Sequence, residues 1–158
     1  MQNKIKTYVI SVAIALGVGG LSALLTANSM DIYSRIVQPP LAPPSILFPI
    51  VWTILYILMG ISAAIIFSER QNQPIQSNRA LVVYGINLFL NFFWSIIFFN
   101  MEAYLFSFIW LILLWITIVI MIIKFAKISP VAGLLQIPYL LWVTFAGYLN
   151  LAIYILNR

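Results

Sequence analysis

The sequence predicts an all-α fold, an integral membrane bundle of five transmembrane helices in a single domain over residues 1–158. Three observations predict it. The chain is 64% apolar and 7% charged. A soluble domain carries roughly 25% charged residues, so there is too little polar surface here to cover a globule. Five runs, each close to the ~20 residues that cross a bilayer core, lie at Thr7–Ala27, Ile46–Phe67, Ala80–Phe99, Tyr104–Ile123 and Val131–Leu156, and none holds a charge. The runs are continuously apolar instead of alternating, which excludes barrel strands. A backbone surrounded by lipid must close its hydrogen bonds within the segment, as helix does.

The first run follows Lys4 and Lys6, as the core of a signal peptide would. It exceeds the roughly 7–15 apolar residues of such a core and is expected to remain as a span. The first loop, Asn28–Ser45, is long. Asn28 or Ser29 could cap a short helix with Ile32, Ile36 and Val37 on its apolar face. Pro39, Pro40, Pro43 and Pro44 follow; they exclude helix and leave a stiff, extended strap. A long ordered loop on a small bundle reads as a lid, with a plain spacer as the alternative.

The second run repeats Pro49, Trp52, Tyr56 and Met59 at helical spacing, so these share a face. The third places Tyr84, Asn87, Asn91 and Trp94 on one face, and the fifth Pro138, Trp142, Phe145 and Leu149. Tyr104 and Tyr154, near span ends, fit an interfacial belt. Trp142 lies mid-span, where its indole N–H requires a partner inside the protein. An unpaired amide in hydrocarbon costs several kcal/mol, so Asn87 and Asn91 should both face inward. They read either as polar anchors in an aromatic pocket or as glue between helices. Gln136 and Asn150 lie nearer the span ends and are expected to snorkel or cap.

Lys4, Lys6, Arg70, Arg79, Lys124 and Lys127 fall on one side of the membrane, Arg35 and Arg158 on the other. That bias predicts a cytoplasmic N-terminus and an external C-terminus. The net charge of +5 therefore belongs to topology and implies no nucleic acid. The plain positive-inside pattern, without a targeting segment, predicts a bacterial cell membrane. With no cysteine and no histidine, thiolate chemistry and the commonest metal ligand are excluded. Asp31, Glu69 and Glu102 are the only carboxylates and all lie in loops. No span holds an acid or base, which argues against hydrolysis and against ion-coupled transport. No internal repeat suggests an inverted-repeat transporter. No catalytic residue, metal or cofactor is expected.

Three segments carry a resemblance to a known family. They are the proline strap leading into Pro49-x-x-Trp52-x-x-Leu55-Tyr56-x-x-Met59-Gly60, then Leu90-Asn91-Phe92-Phe93-Trp94 with Phe98-Phe99, then Pro138-Tyr139-Leu140-Leu141-Trp142-x-x-Phe145-Ala146-x-x-Leu149-Asn150. Together they resemble the TspO/MBR family, also called translocator proteins, peripheral-type benzodiazepine receptors or tryptophan-rich sensory proteins. The resemblance implies a five-helix bundle whose pocket opens towards the first loop and takes tetrapyrroles such as protoporphyrin IX, or other hydrophobic small molecules. It implies a ligand set of Trp52, Tyr56, Asn87, Asn91, Trp94, Trp142, Phe145 and Ala146, under the lid of Pro39, Pro40, Pro43 and Pro44. It also implies an alternative, light-dependent oxidation of bound protoporphyrin, which would fall to Trp52 and Trp142. Two departures stand out. The family strap has Lys where this chain has Gln38 and Trp where it has Leu41, removing a charge and a ring near the mouth. The third span holds Ala80, Gly85 and Ser95 but no small-xxx-small pair, which leaves a homodimer through that helix open.

Overall fold

The computed structural model describes residues 2–158. It contains α1 (Gln2–Thr26), α2 (Ile32–Arg35), α3 (Leu47–Ser68), α4 (Pro74–Ser95), α5 (Tyr104–Ile128), α6 (Pro130–Leu134) and α7 (Ile137–Leu156). Five helical stretches are long and apolar enough to cross a membrane: Asn3–Ser29, Leu47–Gln71, Pro74–Asn100, Tyr104–Ile128 and Pro130–Leu156. Large apolar side chains such as Leu24, Val82, Phe89, Ile109 and Leu141 lie exposed on the outside of the bundle, as lipid contact requires.

The helices pack as neighbours α1 on α3, α4 on α5, and α5 on both α6 and α7. Small residues set the closest of these approaches. A Cβ on Gly60 would collide with the backbone of Val12, and the Ser11 hydroxyl donates to the Gly60 carbonyl at 2.6 Å. Gly133 sits as tightly against Ala126, and Ser62 donates to the Ala132 carbonyl at 2.7 Å. Removing a side chain where two helix backbones meet is the usual packing device in lipid.

The core is unevenly filled along the bundle. Met59, Ile66, Ile118, Met121 and Phe125, from the second halves of α3 and α5, are completely buried. They pack the end of the bundle away from the first loop. The end beneath the first loop is where the bundle encloses a cavity.

Some element boundaries differ from those the sequence suggests. The third span begins at Pro74, ahead of Ala80, because proline fits the first helical turn, where its missing N–H has no partner to lose. The fifth span is not one run. It breaks at Leu135 and Gln136, and α7 restarts with Pro138 in its first turn, since an interior proline can neither donate to the helix nor avoid the carbonyl four residues back. Asn28 and Ser29 do not cap α2; they lie in a 3₁₀ turn, Ala27–Ser29, and α2 follows Asp31 without a side-chain cap. Gln136 takes the N-cap position of α7 without a side-chain cap bond, and both it and Asn150 are buried instead of snorkelling. After Ser95 the α4 backbone widens into a π turn, Ile96–Asn100, closed by Met101 N–H to the Ile96 carbonyl at 3.1 Å.

Candidate functional site

A cavity of about 170 Å³ lies under the first loop, bounded by α1, α3, the C-terminal half of α4, and α7. Helix α3 contributes Phe48, Pro49, Trp52 and Tyr56; α4 contributes Asn91, Trp94 and Ser95, with Phe98 and Phe99 beyond its end; α7 contributes Ala146, Leu149, Asn150 and Ile153. The π turn explains how two consecutive rings, Phe98 and Phe99, both reach the wall. An extra residue in the turn changes the direction of the side chains that follow it. Helix α1 supplies a smooth side of Gly19, Ser22, Ala23 and Thr26. Gly19 is required there, because a Cβ would run into the Tyr56 ring.

The aromatic rings of the site stand in three contacting groups. Trp52 leans on Tyr56 at 5.7 Å between centroids and meets Tyr139 edge-on at 6.2 Å. Trp94 stacks on Phe98 at 5.4 Å. At the loop end Tyr33 meets Phe48 edge-on at 5.2 Å, and Phe48 meets Trp142 at 5.9 Å.

Two polar networks brace this wall. In the first, Trp94 donates its indole N–H to Asn150 Oδ1 at 3.1 Å. Asn150 Nδ2 donates to the Tyr104 carbonyl at 2.8 Å, and the Ser107 hydroxyl lies 3.1 Å from Asn150 Oδ1. Three helices are thereby tied behind one tryptophan. In the second, Asn91 Nδ2 donates to the Tyr139 hydroxyl at 3.0 Å, and that hydroxyl donates to Asn87 Oδ1 at 3.0 Å. Asn87 Nδ2 donates to Thr117 Oγ1 at 3.2 Å. Burial makes such bonds costly to lose, since each deserted partner stays dry.

Of the residues singled out from the sequence, Trp52, Tyr56, Asn91, Trp94 and Ala146 border the cavity. Asn87 lies one layer deeper, behind Tyr139. Trp142 stands behind Phe48, with Phe145 against it at 5.7 Å, and its buried indole N–H has no partner among the described residues. Tyr139, Asn150 and Phe98 stand in the family segments but not in the expected ligand set, and the α1 face is not among the residues the sequence singles out. The α1 face did carry a signal, small residues at i, i+3, i+4 and i+7, which apolar periodicity does not register.

The proline strap is fastened over this end. Asn157 grips both sides of one residue, accepting from Val37 N–H at 2.8 Å and donating to the Val37 carbonyl at 3.0 Å. The Tyr148 hydroxyl donates to the Pro40 carbonyl at 2.8 Å, and the Tyr33 hydroxyl to the Pro43 carbonyl at 2.8 Å. Burial raises the Tyr33 phenol above its ordinary value of 10.0, so it remains a donor at physiological pH. Gln38 spends its amide on the Tyr33 carbonyl at 2.7 Å. Leu41, in a turn closed by Ala42 N–H to the Pro39 carbonyl at 3.2 Å, has φ 67° and points into solvent, 81% exposed. Neither residue substitutes at the mouth for the charge and ring that the family strap carries there.

Comparison with known proteins places this architecture. The model of the TspO/MBR family matches residues 10–156. The chain is 39% identical to the tryptophan-rich protein TspO of Chlorobaculum tepidum over 99% of both chains. It is 32% identical to the tryptophan-rich sensory protein of Cereibacter sphaeroides, over 75% of this chain and 72% of that one. It is 30% identical to the translocator protein of Ovis aries, over 75% of this chain and 70% of that one. A five-helix membrane bundle matched from residue 10 to residue 156, with a full-length relative at 39% identity, belongs to the TspO/MBR family.

Proposed function

We propose that this protein is a membrane-embedded receptor, a sensor or translocator, for flat and largely apolar ligands of the tetrapyrrole class. The ligand lies in the cavity beneath the first loop. The observation that carries this reading is the cavity itself, walled by Trp52, Tyr56, Trp94, Phe98 and Phe99. Ring faces on several sides suit a planar apolar molecule. The names of the relatives, a sensory protein and a translocator protein, agree with a role in sensing or moving such a molecule.

A cavity near 150 Å³ accommodates benzene. At about 170 Å³ this one takes one or two fused rings as it stands. A tetrapyrrole therefore requires the strap and Phe48 to move outward, and the fastenings at Asn157 and Tyr148 become the points of release. Titration of the purified protein with protoporphyrin IX in the dark, followed by tryptophan quenching, is expected to saturate at one ligand per chain. Quenching that rises without saturation would reject a defined site.

Light-dependent oxidation is a second reading, favoured by one observation. Trp52, a readily oxidised ring, borders the cavity directly. Loss of porphyrin absorbance under illumination, absent in the dark, separates this from binding alone.

A further inference from the structure

The seam where α4 packs on α5 carries a pair of cations that the cavity does not use. Asn87 Nδ2 donates to Thr117 Oγ1 at 3.2 Å, which fixes these two residues at one height and sets the register of the two helices. Arg79 precedes Asn87 by eight residues, and Lys124 follows Thr117 by seven. At 1.5 Å per residue, both lie about 10–12 Å towards the end away from the first loop. Helical spacing puts both beside the seam. Arg79 shares a stripe with Ile86 and Leu90, and the Leu90 carbonyl accepts the Trp110 indole N–H of α5 at 2.7 Å. Lys124 shares a stripe with Thr117 and Ile120.

Neither charge belongs to a loop. Arg79 is inside α4 and Lys124 inside α5. They stand immediately outside the apolar runs Ala80–Phe99 and Tyr104–Ile123, at the depth of the lipid headgroups. No carboxylate answers them. The one ion pair among the described residues joins Arg35 to Asp31, beside the first loop. Glu69, the only acid at this end, accepts from Asn72 Nδ2 at 3.1 Å. Further into the bilayer the seam is open to lipid, with Ile86 on α4 and Leu113, Ile116 and Ile120 on α5 exposed.

We propose that Arg79 and Lys124 form the headgroup site for one anionic phospholipid, whose acyl chains lie along the α4–α5 seam. Packed helix axes lie about 8–10 Å apart, so two long basic side chains at one height reach a single phosphate from either side. The guanidinium supplies a fork of donors and the ammonium a point charge. Without an anion between them the two cations repel, and a shared phosphate reverses the sign. A zwitterionic lipid brings its own cation and gains less. Basic pockets between spans on the cytoplasmic side suit anionic headgroups, and the charge bias predicts that side here. The site lies outside the cavity and is independent of what the cavity binds.

Native mass spectrometry of the purified protein tests this, with phosphatidylglycerol, phosphatidylcholine of the same acyl chains, and glycerol phosphate as the headgroup alone. One phosphatidylglycerol per chain is expected to bind about tenfold or more tightly than phosphatidylcholine. A basic residue near the surface is worth about fivefold in affinity, so Arg79→Gln with Lys124→Gln should lose about twenty-fivefold. Lys4→Gln with Lys6→Gln removes as many charges from the same end, but on α1, and should lose less than about twofold. Arg79→Lys with Lys124→Arg keeps both charges and should keep most of the binding, which separates loss of the site from loss of the fold. Equal losses in the two neutralised proteins would reduce the effect to general surface charge and overturn the proposal, as would phosphatidylglycerol binding no tighter than phosphatidylcholine. Glycerol phosphate competing as well as the whole lipid would make this a phosphate site and overturn it too.

Discussion

Trp52 and Trp142 occupy corresponding places in their stripes, yet the structure gives them different surroundings. Trp52 borders the cavity, whereas Trp142 reaches it only through Phe48. Trp52→Phe keeps much of the apolar area but loses part of the ring contact, worth about 0.5–1.5 kcal/mol beyond burial. Porphyrin affinity should fall by up to about tenfold in Trp52→Phe and by less in Trp142→Phe, as dark titration would show. Asn87 and Asn91 divide similarly. Asn91→Leu should weaken ligand binding, while Asn87→Leu should act mainly on stability. Leaving the Tyr139 hydroxyl without its acceptor costs about 1–3 kcal/mol, and thermal unfolding of the two variants beside their affinities would show the split. Helical spacing made both asparagines legible as inward-facing. It could not tell which one stops at Tyr139, because that depends on a ring arriving from another helix. Asn150 was misplaced for a related reason. Its nearness to the chain end suggested a wet position, but Trp94, Ser107 and the Tyr104 carbonyl enclose it.

Among the elements, the spans were legible and their interruptions less so. Continuous apolarity marks where a helix must be, but not where it starts, and Pro74 extends α4 beyond the apolar run. The break between α6 and α7 was written in Pro138, yet a proline near the start of a span can as easily be tolerated within one helix. The strap was legible as stiff from its four prolines. What fastens it was not, since Asn157 lies 120 residues from Val37. Those fastenings make a kinetic prediction. Asn157→Ala removes both bonds to Val37, and Tyr148→Phe removes the bond to the Pro40 carbonyl. In stopped-flow quenching each should raise the association and dissociation rates together, by several-fold, with a smaller change in affinity. Unchanged rates would mean that the strap is a spacer and that ligand reaches the cavity between the helices.

Across the whole molecule, filling and charge are both asymmetric. The bundle is solid at the end away from the first loop and hollow beneath it, so the cavity and the strap belong to one side. Lys4, Lys6, Arg70, Arg79, Lys124 and Lys127 gather at the solid end, Arg35 and Arg158 at the hollow one. On the positive-inside rule the strap is predicted to lie outside the cytoplasm. Cysteines introduced at Lys4 and Arg158, in a chain with none of its own, should react with impermeant maleimide on intact cells only at position 158. Labelling at position 4 would invert the assignment.

The central claim is that the cavity under the strap is where ligand binds, and filling the cavity tests it most directly. Ala146 lies on the wall and is 7% exposed, so Ala146→Phe would occupy space the ligand needs without removing any polar contact. The measurement is dark titration of protoporphyrin IX into the unsubstituted protein and into Ala146→Phe, each shown to be folded by its thermal transition. Saturable binding to the first, and at least a tenfold loss in a stably folded Ala146→Phe, is the result expected. Equal affinity in the two proteins would place the ligand elsewhere and contradict the claim.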